Sequence, residues 1–386
     1  MNVSWKLEKG VLSLADESGR VLSLDLEGRL IYFTTGNATY RRTILNKFVK
    51  MRIENGIRRV SPVLPSEARV VISEAFETVD SVLKSDCPSD LKRNLSELLE
   101  RINYEWLSRD AEKFISVYGG GVPIIPPDQY FTIYVRYADG CPWNRCTFCR
   151  LYPGVRYRTR SVEEVESQLI LLIKLLGRGI ESRRSVFLGD ANAVNTEIDR
   201  LAEVLRTVRK HIHLPLYAFS DAFTTPRNKG IGEYTLMKKN GLERIYIGIE
   251  SGDEEVLRVL NKPMVLSLAK KEIEEIKAAG IGVGLIVMSG AGGRKLAGQH
   301  IENTSRFLST LPLGRGDIVY ISPINEYEGS DYAKIVEEEG LGGMSMEEKG
   351  QQADEIRNRL EELWRKIHNS PPEFAVAPYL LEESIY

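Results

Sequence analysis

Residues 140–149 read Gly140-Cys141-Pro142-Trp143-Asn144-Arg145-Cys146-Thr147-Phe148-Cys149 and hold three of the chain's four cysteines. They follow Tyr130-Phe131-Thr132-Ile133-Tyr134-Val135-Arg136-Tyr137-Ala138, whose aromatic and β-branched content predicts a β-strand. Gly140 gives that strand a sharp exit. A strand that delivers three thiols into one loop is a device for holding a metal centre. Thiolates are soft ligands that suit zinc or iron–sulfur clusters. Structural zinc takes four protein ligands, usually as two separated Cys/His pairs. Here the fourth cysteine, Cys87, lies far upstream in a polar run, and none of the four histidines is near the loop. Three thiolates in so short a loop suit a [4Fe–4S] cube with one iron left free for a non-protein ligand. Structural zinc is the alternative.

Downstream of the loop, strand and helix patterns alternate, which argues for a parallel sheet. A helix is expected from Ser161 to about Gly177, with Val165, Leu169, Leu172 and Leu176 on one face and Ser161 capping to Glu164. Strands are expected at 185–188, 216–219, 244–249, 283–288 and 317–321, with helices between them. Counting the strand before the loop, this makes six β/α units. Upstream, residues 1 to about 62 read as a β-meander, with alternation through Val11-Leu12-Ser13-Leu14 and Val21-Leu22-Ser23-Leu24 and a third strand at Leu30-Ile31-Tyr32-Phe33. Two helical patterns follow, over 66–84 and 91–118. The segment from Ser345 to Asn369 is an amphipathic helix stopped by Pro371 and Pro372, and the tail 379–386 is apolar enough to pack on the core or a partner. The expected domains are 1–125 (α+β), 126–330 (the β/α units) and 331–386 (a helical extension).

Cys-x4-Cys-x2-Cys with Phe148 before the last cysteine resembles the cluster loop of radical S-adenosylmethionine (radical SAM) enzymes. The commonest spacing in that family has three residues in the first gap, against four here. Six units match the family's partial barrel; eight would have indicated a closed one. The resemblance covers about residues 130 to 330. It implies α/β architecture, a [4Fe–4S] cluster held by Cys141, Cys146 and Cys149, and S-adenosylmethionine bound beside it next to Phe148. It also implies ligand-binding groups at successive strand ends. These are Gly189, Asp190 and Asn192, with Asp190 receiving the methionine ammonium, then Ser220 and Asp221. Next come Glu250 and Ser251, in a Gly-Ile-Glu-Ser-Gly string close to a widespread family pattern, with Glu250 facing ribose hydroxyls. Lys262 is expected on the methionine carboxylate, and Gly290 where backbone approaches adenine. The implied chemistry is one-electron reductive cleavage to a 5′-deoxyadenosyl radical, which abstracts hydrogen from an unactivated C–H bond. An external electron donor of flavodoxin or ferredoxin type is implied with it. A non-catalytic iron–sulfur electron-transfer or sensor protein is the reading from another class.

Few cysteines, three of them expected cluster ligands, suit a reducing cytoplasm. No apolar run approaches the roughly 20 residues of a membrane span, and the first ten residues lack the apolar core of a signal peptide. The net charge of −2 hides an asymmetry, because residues 29–59 carry eight basic residues against the single acid Glu54. That stretch, interleaved with Tyr32, Phe33, Tyr40 and Phe48, supports two substrate readings. One is RNA, held through its phosphates. The other, which is favoured, is an anionic small molecule or lipid headgroup clamped by arginines. The plain alternative is that these cations cover their own domain's acids. No cysteines exist for a second cluster, and the fate of the substrate after hydrogen abstraction is not written in the sequence.

Overall fold

The computed structural model describes residues 3–54, 57–224 and 229–380, without the side chains at 54, 57 and 58. The Arg58 side chain of the basic stretch and the tail beyond Leu380 therefore lie outside what is described. The chain forms two compact units. Of the described residues, one comprises 3–133 with 167–184; the other comprises 134–166 and 185–380.

The first unit opens on seven strands, each hydrogen-bonded antiparallel to the next: β1 (Ser4–Glu8), β2 (Val11–Ala15), β3 (Val21–Asp25), β4 (Leu30–Thr35), β5 (Ala38–Arg42), β6 (Phe48–Glu54) and β7 (Ile57–Pro62). The alternation of β2 and β3 buries Leu12, Leu14, Leu22 and Leu24 on one face. That face packs on α1 (Pro65–Lys84) through Val71, Ile72, Ala75 and Val79. The meander is thus longer than the three strands its sequence suggests. β5 to β7 lie in the basic stretch, where charged residues break the apolar alternation. The expected second helix is two, α2 (Ser89–Leu99) and α3 (Tyr104–Tyr118). Asn103 divides them: it is extended at φ −140° and its side chain accepts from the Trp106 N–H at 2.8 Å, an N-cap.

The second unit is a parallel α/β assembly. Its strands are β8 (Thr132–Arg136), which begins in the first unit, β11 (Ser185–Gly189), β12 (Leu216–Ser220), β13 (Leu242–Glu250), β14 (Gly282–Ser289), β15 (Ile318–Pro323) and β16 (Ala375–Pro378); β9 (Ala138–Asp139) and β10 (Arg158–Thr159) form a small antiparallel pair beside the cysteine loop. The large sheet runs in the order β16-β15-β14-β13-β12-β11-β8, with every pairing from β11 to β16 parallel. β8 and β16 are its two edges, so this is a partial barrel. The helices are α4 (Val162–Leu176), shared between the units, α5 (Ile198–His211), α6 (Ile231–Lys239), α7 (Glu254–Val259), α8 (Leu266–Ala278), α9 (Gly293–Ser309), α10 (Asp331–Glu338) and α11 (Met346–His368). Ser161 and Glu164 do form the reciprocal cap of α4, at 3.2 and 2.7 Å. β16 is the strand that periodicity misses, four residues ending in Pro378, and it adds a seventh strand to the expected six. Among the described residues no helix is long and apolar enough to cross a membrane.

Registers such as Leu188 opposite Ala218, Ser220 opposite Ile247 and Ser289 opposite Pro323 bring the carboxyl ends of β11 to β15 to one edge of the sheet. Ligands of parallel sheets sit at that edge.

Candidate active site

The cysteine loop is pinned to the turn after α7. The Thr147 N–H donates to the Leu260 carbonyl at 3.1 Å, its hydroxyl to Val259 at 3.0 Å, and the Trp143 indole N–H to the Asn261 carbonyl at 2.8 Å. The Asn261 amide answers with a bond to the Arg145 carbonyl at 2.8 Å. Asn144 is left-handed at φ 48°, a conformation asparagine tolerates. It turns its N–H to Cys141 Sγ at 3.4 Å and its side-chain amide to the Tyr152 carbonyl at 2.7 Å. The four-residue first gap is accommodated in this way. Phe148 packs against the apolar cluster of Val256, Val259, Leu260, Ala291 and Tyr332.

The three thiols are each partly exposed and close enough to feel one another. Burial pushes Cys146 up to about 12, and burial likewise raises Cys149, so these two bare thiols hold their protons. A metal must displace those protons. Among the described residues, no three His, Cys, Asp or Glu side chains converge so as to hold a single metal ion. A cube, by contrast, takes its thiolates on separate irons, so its ligands do not have to meet at one point. Soft donors, three in number and spread in this way, fit a [4Fe–4S] cluster better than a mononuclear zinc site.

Beside the thiols lies a buried ion pair, Lys262 Nζ to Glu250 Oε1 at 2.8 Å. Burial alone would lower Lys262, but Glu250 outweighs it and the ammonium is held above its ordinary range. Glu250 ends β13 at φ 61° after a bulge between Gly248 and Glu250, which re-aims its side chain. Its second oxygen, Oε2, is buried with no hydrogen-bond partner. A Cβ at position 248 would lie 2.3 Å from Glu250 Oε1 and 3.0 Å from Lys262 Nζ, so glycine there makes room for the pair. Trp143 and Lys262 both approach Phe223, at 6.2 and 5.9 Å from its ring centre.

The other expected strand-end groups are engaged by the protein itself. Asp190 Oδ1 accepts from the Tyr134 hydroxyl, and its Oδ2 from the Gly140 N–H at 3.1 Å, the peptide just before Cys141; Arg136 Nε stands 3.4 Å away. Burial raises its pKa in spite of Arg136. Asp190 therefore braces the entrance of the cysteine loop. Gly189 lies so close to Tyr134 that a Cβ would sit 2.0 Å from its hydroxyl oxygen. Asn192 bonds Thr224 and Asn195, and Asp221 caps Phe223 and Thr224. Ser220 donates to buried Glu272 at 3.1 Å. Ser251 joins His300 Nδ1 at 2.8 Å and the Asp253 N–H at 3.0 Å. At Gly290 the close approach comes from α11: Lys349 Cγ would lie 2.7 Å from a Cβ, and the N–H donates to Gln352 Oε1 at 2.5 Å.

Reading the sequence missed Trp143, Thr147 and Asn261 as the clamp of the loop, and Lys349 and Gln352 as supports of the β14 end. The only available signal was the amphipathic helix expected at 345–369.

A family model described as the radical SAM superfamily matches residues 135–308. No curated protein matches the chain. Among solved structures, the chain is similar to a radical S-adenosylmethionine methyltransferase, TsrM, from Kitasatospora setae with cobalamin and a [4Fe-4S] cluster bound, at 15% identity over 54% of this chain and 41% of that one, TM-score 0.42. It is similar to coproporphyrinogen III oxidase of Escherichia coli, a radical SAM enzyme, at 14% identity over 65% and 55%, TM-score 0.44. Methylornithine synthase (PylB) shares 17% identity over 77% of this chain and 85% of its own, TM-score 0.43. The chain spans less than two thirds of the length of the first two.

Proposed function

We propose that the chain is a radical SAM enzyme, a reading supported by the family model that matches residues 135–308, that Cys141, Cys146 and Cys149 hold a [4Fe–4S] cluster, and that S-adenosylmethionine binds beside Glu250 and Lys262. When bound, the pair supplies reductive cleavage of the sulfonium and hydrogen abstraction from an unactivated C–H bond of the substrate. The chain's own residues supply the rest. Lys262 sets a positive charge beside Cys146 and Cys149 and favours their deprotonated form. It also keeps N–H capacity beyond the one bond to Glu250, enough for a ligand carboxylate. Asp190, through Gly140, fixes where the loop begins. Phe148, Trp143 and Phe223 line the neighbourhood with apolar surface that keeps water away.

The observation that carries this reading is Glu250 Oε2, a buried acceptor without a donor beside three thiols. Burying such a group unpaired costs about 1–3 kcal/mol, and a hydroxyl-bearing ligand such as ribose would relieve it. The test is to reconstitute the protein anaerobically with iron and sulfide, reduce it, and measure 5′-deoxyadenosine release from S-adenosylmethionine. Loaded protein that releases none, and whose cluster spectrum is unmoved by S-adenosylmethionine, would return the chain to the electron-transfer or sensor reading.

For the substrate, we favour an anionic small molecule or lipid headgroup over RNA. Much of the basic stretch is turned inward: Arg29 is paired with Asp25 and Asp110, Arg41 and Arg42 are buried, and Lys50 bonds Glu67. A phosphate-tracking strip needs its cations in water. With only Cys87 outside the loop, the electron comes from outside the chain, from a donor of flavodoxin or ferredoxin type. Transfer RNA that shifts with the protein at low salt would reverse the substrate preference.

A further inference from the structure

The first unit contains a cavity of about 50 Å³ whose wall carries four arginines, Arg29, Arg41, Arg42 and Arg183, and one acid, Asp25. Arg29 is held from all sides, by Asp110 at 2.7 and 3.0 Å, by Asp25 at 3.2 Å, and by the carbonyls of Leu175 and Leu176 at 2.6 and 3.1 Å. Arg42 is buried and bonds only neutral oxygens among the described residues, Asn46 Oδ1 at 2.7 Å and the Leu107 carbonyl at 2.9 Å. Burial pushes its guanidinium down to about 10 although Asp110 and Asp25 oppose the change. Those two aspartates can offset Arg29 and Arg42 between them and no more.

Arg183 is beyond their reach. Its Nε is buried with no hydrogen-bond partner, and Nη1 meets the Thr132 carbonyl only at 3.4 Å. Among the described residues no carboxylate stands within ion-pair distance of it. The Arg41 guanidinium carbon stands over the Tyr130 ring, 3.8 Å from its centre. Tyr32 and Phe131, 6.5 Å apart, complete an aromatic wall. Guanidinium forks match the oxygens of phosphate and carboxylate. The small accessible volume suits a ligand the size of one oxyanion.

We propose that this cavity is a binding site for a single phosphate-sized oxyanion, with Arg183 as its principal donor. It shares no residue with the cluster site, so it stands or falls apart from the radical SAM assignment. The anion is either free inorganic phosphate or the phosphate head of a larger ester.

The test is calorimetric titration of the full chain, in chloride buffer at fixed pH and ionic strength, with inorganic phosphate and separately with methyl phosphate. One site per chain is expected. Tighter binding of phosphate identifies the free ion, and tighter binding of methyl phosphate identifies an ester head. Arg183→Gln should weaken binding roughly tenfold or more, since it removes a charged donor. Arg183→Lys, which keeps the charge but loses the fork, should fall between. Arg178→Gln, at a side chain 64% exposed, should bind as the parent does. Phosphate should also raise the melting temperature of the parent and leave that of Arg183→Gln unmoved. Heats no larger than those of added chloride, or an Arg183→Gln protein that binds like the parent, would overturn the proposal.

Discussion

Glu250 and Lys262 illustrate how single residues carry the site. Both are buried, each offsets the other, and Glu250 still has an oxygen to offer. Glu250→Gln keeps the shape and removes the charge. It is expected to weaken S-adenosylmethionine binding about tenfold or more, by the worth of a charge-assisted hydrogen bond, while iron content stays the same; equilibrium dialysis with iron analysis separates the two. Gly248→Ala forces a methyl into the pair and should cost about 1–3 kcal/mol of stability, read by denaturant unfolding. Cys146→Ser should leave the protein folded and unable to retain a full cluster, read as iron and acid-labile sulfide per chain. At this scale the sequence was legible where chemistry forces a residue type. Three close thiols, and a lysine and glutamate after one strand, announce themselves. Asp190 was singled out too, yet its brace to Gly140 depends on Tyr134 and Arg136 across the sheet, and no spacing encodes that.

Elements were legible in proportion to their periodicity. The α4 pattern gave its limits and its cap. Ser161→Ala, which removes the acceptor for the Glu164 N–H, should cost about 1 kcal/mol, read as a lowered midpoint of chemical denaturation. β16 and the break between α2 and α3 were not legible, because four residues ending in a proline and a lone asparagine cap have no period. The inside of a helix face was equally silent about Glu272 on α8. Its carboxyl accepts from the Ser220 and Tyr234 hydroxyls, and its other oxygen is buried without a partner. Burial pushes it from 4.5 up to about 8. Between those pH values the folded chain keeps a proton that the unfolded chain has lost, so stability falls as pH rises through that window and levels off above it. Glu272→Gln should remove this slope. Guanidinium unfolding at pH 5 and pH 8 checks it: the variant should gain on the parent at the higher pH, and equal slopes for the two would refute the burial argument.

The whole molecule departs most from what a linear reading suggests. Composition and turn signals put a boundary near residue 125, yet residues 167–184 return to the first unit. The reason is specific contacts: Arg29 bonds the carbonyls at the end of α4, and the Arg184 guanidinium reaches the Lys9 carbonyl at 2.5 Å. A boundary drawn from linkers cannot see a helix that belongs to two units. A chain beginning at Pro126 should therefore lose its cooperative thermal transition, because residues 167–184 would have no partners; a sharp calorimetric transition in that fragment would contradict the shared-helix picture.

The clamp on the cysteine loop also has a history in synthesis. The three thiols are translated long before Leu260, Asn261 and Lys262, the segment that pins and charges their loop. At ordinary elongation rates that interval lasts roughly 5 to 20 seconds. Throughout it the nascent chain presents three sulfurs with no completed pocket. Iron–sulfur loading before that segment has emerged would meet a loose loop, and loading afterwards a formed one. On the proposed cluster assignment, the order of translation is expected to delay a clamped loop until a turn more than a hundred residues downstream of the three cysteines has been made.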